Sequence, residues 1–115
     1  MADTLNISKI EQGDTLILKL KGRLDTMTAS SMETLVKDLN EPIAKLVIDC
    51  DDLDYISSAG LRVFLQTRKR FGDNVMRLEK VHSSIYEILE ITGFNDFFDV
   101  EVVEDKENEE QVEDE

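Results

Sequence analysis

Two adjacent hydroxyls, Ser57 and Ser58, separate the apolar pair Tyr55-Ile56 from Ala59-Gly60-Leu61, where the pattern predicts the start of an amphipathic helix. Free backbone N–H groups and the positive end of the helix dipole gather at such a start, so the chemistry open to this segment is to carry a phosphate. On cap statistics alone, a serine that only caps the helix is the commoner explanation. Gly60 weighs the other way. In a first helical turn glycine costs about 0.5–1 kcal/mol relative to alanine and adds no cap of its own, which implies that something must approach closely there.

Other reactive side chains build no site in the sequence. Asp49, Asp51, Asp52 and Asp54 have the look of a cation loop, but a calcium loop requires glycine at its sixth position and glutamate at its twelfth, where this chain has Asp54 and Gly60. A solvated acidic loop is the default reading, with no metal and no cofactor expected. His82 has no carboxylate, cysteine or second histidine at ligand spacing and reads as a surface or capping residue. Cys50, the only cysteine, ends an apolar run and reads as a small buried hydrophobe. No phosphate loop, nucleophile elbow or zinc helix occurs, and no carboxylate lies on an apolar segment that would raise its pKa, so no catalytic residue is expected.

The elements that must hold Ser57 and Ser58 follow from the hydrophobic period. Leu5, Ile7 and Ile10 lead to a turn at Gln12-Gly13-Asp14, and Leu16, Leu18 and Leu20 then alternate with polar residues, which predicts a hairpin ended by Gly22. Met32, Leu35, Val36 and Leu39 fall at helical spacing after caps at Thr28, Ser30 and Ser31, and that helix should stop before Pro42. Leu46-Val47-Ile48 predicts a short central strand running directly into the acidic and serine segment. Leu61, Phe64 and Leu65 form the inner face of the next helix, with Arg62, Gln66, Arg68, Lys69 and Arg70 outward and Gly72-Asp73-Asn74 as its end. Val75 to Leu78 predicts a fourth strand, and Ser84 with Glu87 a capping box for a third helix closed by Gly93. Phe97-Phe98 with Val100-Glu101-Val102 predicts the last strand. Met27, Met32 and Met76 are expected in the core, and Phe94, Phe97 and Phe98 over the open end of the sheet. The order β-β-α-β-α-β-α-β predicts an α/β domain, one central mixed sheet with helices packed on it.

At 115 residues and 41% hydrophobic, the chain suits one domain. Its net charge of −13 argues against nucleic acid as a partner. Glu104 to Glu115 holds eight acidic residues and one lysine, a net of −7, and reads as a disordered solvating tail after a domain spanning 1–103. No apolar stretch is long enough for a bilayer, the first residues lack a signal-peptide pattern, and the lone cysteine suits a reducing compartment, so a cytoplasmic protein without membrane contact is expected.

Asp52-Leu53-Asp54-Tyr55-Ile56 followed by Ser57-Ser58-Ala59-Gly60-Leu61, together with the Gly22-Arg23-Leu24-Asp25 turn, resembles the STAS domain, and in particular the small bacterial anti-sigma factor antagonists. The resemblance covers roughly Leu5 to Val103. It implies a partner-switching regulator. Such a protein binds an anti-sigma factor that is also a serine kinase, is inactivated when that kinase phosphorylates one serine, and is restored by a PP2C-type phosphatase. Aligned on Gly60, the phosphoacceptor is Ser58; many members have aspartate just before it where this chain has Ser57, so Ser57 is the alternative acceptor. The partner-binding surface implied comprises Asp25, Tyr55, Ile56, Ser57, Ser58, Ala59, Gly60, Leu61 and Arg62. A non-phosphorylated scaffold or transport-complex subunit on the same domain, or a nucleotide or lipid sensor using a groove beside Gly60, are the alternatives.

Overall fold

Alternation of leucines at 16, 18 and 20 builds the strand on which the rest of the sheet is laid down. The computed structural model describes residues 4–39, 43–72 and 74–103. Among them, strands β1 (Leu5–Gln12), β2 (Thr15–Leu24), β3 (Lys45–Ile56), β4 (Met76–His82) and β5 (Asp99–Val103) alternate with helices α1 (Ala29–Lys37), α2 (Ser58–Phe71) and α3 (Ser83–Thr92) in the expected order. The strands lie in the order β1-β2-β3-β4-β5, with β1 antiparallel to β2 and the remaining pairs parallel. The crossovers step one way across neighbouring parallel strands, and all three helices share a single hydrophobic core with the sheet. Leu16, Leu18, Leu20, Leu46, Ile48, Cys50, Met76 and Leu78 meet them there, fully or almost fully buried.

Several elements differ from the sequence-based expectation. β2 does not end at Gly22 but runs on to Leu24, because Arg23 and Leu24 pair with Tyr55 and Ile56 of β3. Gly22 has φ +113°, and a Cβ there would lie 2.2 Å from the Thr4 carbonyl oxygen, which accepts the Arg23 N–H. β3 likewise extends through Asp49, Asp51, Asp52 and Asp54 to Ile56, so the acidic segment is a strand, not a loop. Pairing with β2 holds it, and Leu53 and Ile56 bury its apolar side.

The inner face of α2 is Gly60, Leu61, Val63, Phe64 and Thr67, with Leu65 only half-buried; the Thr67 hydroxyl donates to the Val63 carbonyl at 2.7 Å and so can be buried without cost. The Arg70 guanidinium, expected outward, donates to the Val36 and Leu39 carbonyls and so ties α2 to the C-terminal end of α1, where the Val36 carbonyl also accepts the Leu39 N–H. α1 stops at Lys37, and Pro42, like Asp73 and the segment 104–115, lies outside the described residues.

The Ser84–Glu87 capping box does not form. β4 runs straight into α3, His82 occupies the cap position without a side-chain cap bond, and both box residues are exposed within the helix. Gly93 closes α3 in the left-handed conformation. Phe97 belongs to a 3₁₀ turn and is 46% exposed, so the last strand starts at Asp99, while Phe98 packs edge-on against Phe64 with centroids 6.1 Å apart. Met32 and Met76 are buried as expected, whereas Met27 is 83% exposed.

Two side chains give local predictions. The His82 Nε2 lies 2.9 Å from Asp51 Oδ1, a carboxylate supplied by β3 that sequence spacing could not reveal. That hydrogen bond, reinforced by the charges of His82, Lys80 and Lys19 against the opposing effect of burial, holds the Asp51 carboxyl below its usual range. A lowered carboxylate pKa stabilises the fold above its unfolded value, and the contribution is lost as pH falls through the folded one. Asp51→Asn should therefore flatten the acid limb of stability below about pH 4, by less than about 1 kcal/mol because the pair is partly exposed, as chemical denaturation across pH will read. Cys50 is fully buried, and burial, with the adjacent Asp49 charge, raises its thiol well above the ordinary range. In the native protein it should react with a thiol reagent only at the rate of unfolding, and become fully reactive in denaturant.

Candidate functional site

Parallel strands point their C-terminal ends the same way, so the turns that follow β2 and β3 emerge side by side at one end of the sheet. Leu24 and Ile56 are register partners there, and the Ser57 N–H continues the ladder by donating to the Leu24 carbonyl at 2.9 Å. The two motifs separated in sequence thus form one surface.

The first turn is built by Asp25. Its Oδ1 accepts the N–H groups of Met27 at 3.0 Å and Thr28 at 3.1 Å, while the Thr28 hydroxyl donates to the Arg23 carbonyl at 2.7 Å and accepts the Asp25 N–H at 2.9 Å. Burial would raise the Asp25 carboxyl, but the hydrogen bonds from Thr28, Met27 and Arg23 outweigh it and hold it below the usual carboxylate range. Arg23 Nε lies 3.5 Å from Asp25 Oδ2, and the same guanidinium stacks 4.3 Å above the Tyr55 ring. Asp25 is therefore a turn-former that presents Met27 outward. Arg23, Met27 and Thr28 lie on the same surface, although from the sequence Arg23 is only part of the turn motif, Met27 is expected in the core and Thr28 as a helix cap. An aspartate followed three residues later by threonine is the side-chain-stabilised turn pattern that could have pointed to them.

The second turn divides labour between the two serines. Ser57 is the cap of α2, extended at φ −101° and ψ 176°, and its Oγ accepts the Gly60 N–H at 3.4 Å. Ser58 is the first helical residue, exposed, and its hydroxyl takes part in no hydrogen bond among the described residues. Gly60 is buried because α2 starts against β2: a Cβ there would lie 2.7 Å from Leu24 Cγ and 2.9 Å from both Ile56 Cγ1 and the Leu24 carbonyl oxygen. What comes close to Gly60 is thus the protein's own core. Ile56 and Leu61 are buried beside it and Ala59 is half-buried, so these residues shape the surface from beneath. Tyr55, Ser58 and Arg62 are on the outside.

Among the described residues, no group of three or more His, Cys, Asp or Glu side chains is placed to hold a metal ion, and no helix is long and apolar enough to cross a membrane. A groove of about 330 Å³ between α1 and α2 is lined by Val36, Val63, Gln66, Thr67 and Arg70 together with Glu33 and Lys37, and Gly60 does not contribute to it.

Comparison with known proteins places this arrangement. The STAS domain profile matches residues 6–109. The chain is 37% identical over 101 residues to a Bordetella bronchiseptica protein, BtrV, named as an anti-sigma factor antagonist, with 84% of each chain covered. Its fold is similar to that of an anti-sigma factor antagonist from Mycobacterium paratuberculosis, with a TM-score of 0.77 at 17% identity over 84% of this chain and 85% of that one. It is also similar to the Bacillus cell fate determinant SpoIIAA in its phosphorylated form, with a TM-score of 0.61 at 12% identity over 96% and 99% of the two chains. With its five-stranded mixed sheet, three helices and these relatives, the chain belongs to the STAS domain family, among the bacterial anti-sigma factor antagonists.

Proposed function

We propose that this chain is a partner-switching regulator that binds an anti-sigma factor through the surface formed by the Asp25 turn and the start of α2. The anti-sigma factor doubles as a serine kinase, phosphorylation of Ser58 ends the interaction, and a PP2C-type phosphatase restores it. The observation that carries this reading is the division between the serines. Ser57 is engaged in capping, whereas Ser58, beside it, is exposed on the same surface that the partner covers.

The physical basis is a change of charge where the fold tolerates it and an interface does not. A phosphate adds about −1.5 to −2 charges. At the first position of α2 the helix dipole accommodates that charge, so folding is maintained. Against a partner it brings desolvation and repulsion from facing acids, so binding falls. The names of the relatives support the anti-sigma partner, and SpoIIAA is a fold relative known in a phosphorylated form. The test is incubation with candidate anti-sigma kinases and ATP, followed by mass spectrometry of the peptide that contains Ser57 and Ser58. Phosphate on Ser58 is expected, and its absence with every kinase that binds the chain would remove the switch.

A further inference from the structure

A second residue enters the switch if Ser58 is the phosphoacceptor. The chain has 26 acidic residues, yet α2 contains no aspartate or glutamate and four basic residues, Arg62, Arg68, Lys69 and Arg70. Arg70 is engaged by the carbonyls of α1, and Arg68 also has a partner. Arg62 is exposed and takes part in no ion pair or hydrogen bond among the described residues. The other charges of this surface, the Arg23–Asp25 pair and exposed Asp54, belong to β2, its turn and β3.

Ser58 and Arg62 are four residues apart in one helix, which makes them neighbours on one face, with the future anion N-terminal to the cation in the favourable orientation. Helical side chains lean toward the N-terminus, so the turn that holds Ser58 is the one within reach of a long side chain at position 62. No acid within α2 competes for it.

We propose that Arg62 is the intramolecular counter-ion of a phosphate on Ser58. In the unmodified protein the guanidinium is presented outward on the docking surface. After phosphorylation it closes on the phosphate oxygens through charge-assisted N–H···O bonds. The modification then alters the surface twice, adding an anion and withdrawing a cation. A partner that offers a carboxylate to Arg62 loses that contact at the moment it meets the phosphate.

The test installs phosphoserine at position 58 during translation and follows the second ionisation of the phosphate by ³¹P NMR. Arg62→Gln should raise that pKa by about 0.3 unit relative to the phosphoprotein with Arg62 intact. Lys69→Gln, about two turns farther along the same helix, should not shift it, and the Arg62 Nε–Hε resonance should move on phosphorylation. Identical titrations with and without Arg62, or an equal shift from Lys69→Gln, would overturn the proposal. Because the phosphate is built in, this result is independent of any kinase. Failure of kinases to modify Ser58 would remove the proposed switch and leave the Arg62–phosphate contact measured.

Discussion

Ser58→Asp should weaken binding to the anti-sigma partner by more than about a hundredfold, roughly 3 kcal/mol, while the circular dichroism spectrum and melting temperature stay nearly unchanged. The separation of the two effects comes from the position of the residue. Ser58 is exposed and bonds to nothing among the described residues, so its replacement breaks no packing. An acid in the first turn of α2 meets the positive end of the helix dipole, and α2 has no other acid in that turn to repel it. The whole cost therefore falls on the interface, where a carboxylate must be desolvated against whatever faced a neutral hydroxyl. Ser58→Ala should bind normally and escape inactivation by kinase and ATP. Isothermal titration calorimetry with the purified partner reads both variants, and full-strength binding by Ser58→Asp would rule out control by charge at this position.

Gly60→Ala should act in the opposite manner, through the fold first and binding second. Its Cβ would fall within 3 Å of the Leu24 side chain, the Ile56 side chain and the Leu24 carbonyl oxygen. The last is backbone and cannot turn aside. It also accepts the Ser57 N–H, so moving it disturbs the bond that joins the two turns. Overpacking of this kind costs about 1–3 kcal/mol, which lowers the melting temperature by roughly 5–15 °C in a domain of this size. Displacement of the start of α2 relative to the Asp25 turn should weaken partner binding in the fraction that remains folded. Differential scanning calorimetry alongside the binding assay tests this. A variant with unchanged melting temperature would show that the contacts around Gly60 yield more readily than backbone allows.

Much of the framework was legible in the residues. Strict alternation marked β2, a continuous apolar run marked β3, and Gly93 marked the end of α3, because each signal is local and one physical cause dominates it. Signals failed where a distant neighbour outweighed the local pattern. The acids from Asp49 to Asp54 read as a loop because charged residues usually solvate turns, yet β2 pairs with Asp49, Asp52, Leu53, Tyr55 and Ile56 across two register shifts and carries the strand on to Ile56. Ser84 and Glu87 carry the letters of a capping box, but β4 delivers the chain into α3 two residues too early for it, with His82 at the cap position. Met27 looked like core filler until the Asp25 hydrogen bonds turned it outward.

Gly60 illustrates the same limit at the site. Its presence announced a close approach without saying what approaches, and the structure shows that Leu24 and Ile56 provide it. The cost of a Cβ can be inferred from a helical position, but what that Cβ would strike depends on which strand ends lie beneath.

Sequence alone determined the order of the elements, the pair of hydroxyls at the start of α2 and the basic, acid-free character of that helix, since these depend on composition and on periods within a few residues. Only the tertiary structure decided which serine caps and which faces solvent, and that the Asp25 turn stands beside them. The reason is the parallel pairing of β2 with β3, which aligns Leu24 with Ile56 and locks the Ser57 N–H onto the Leu24 carbonyl, a contact between segments that no local pattern encodes.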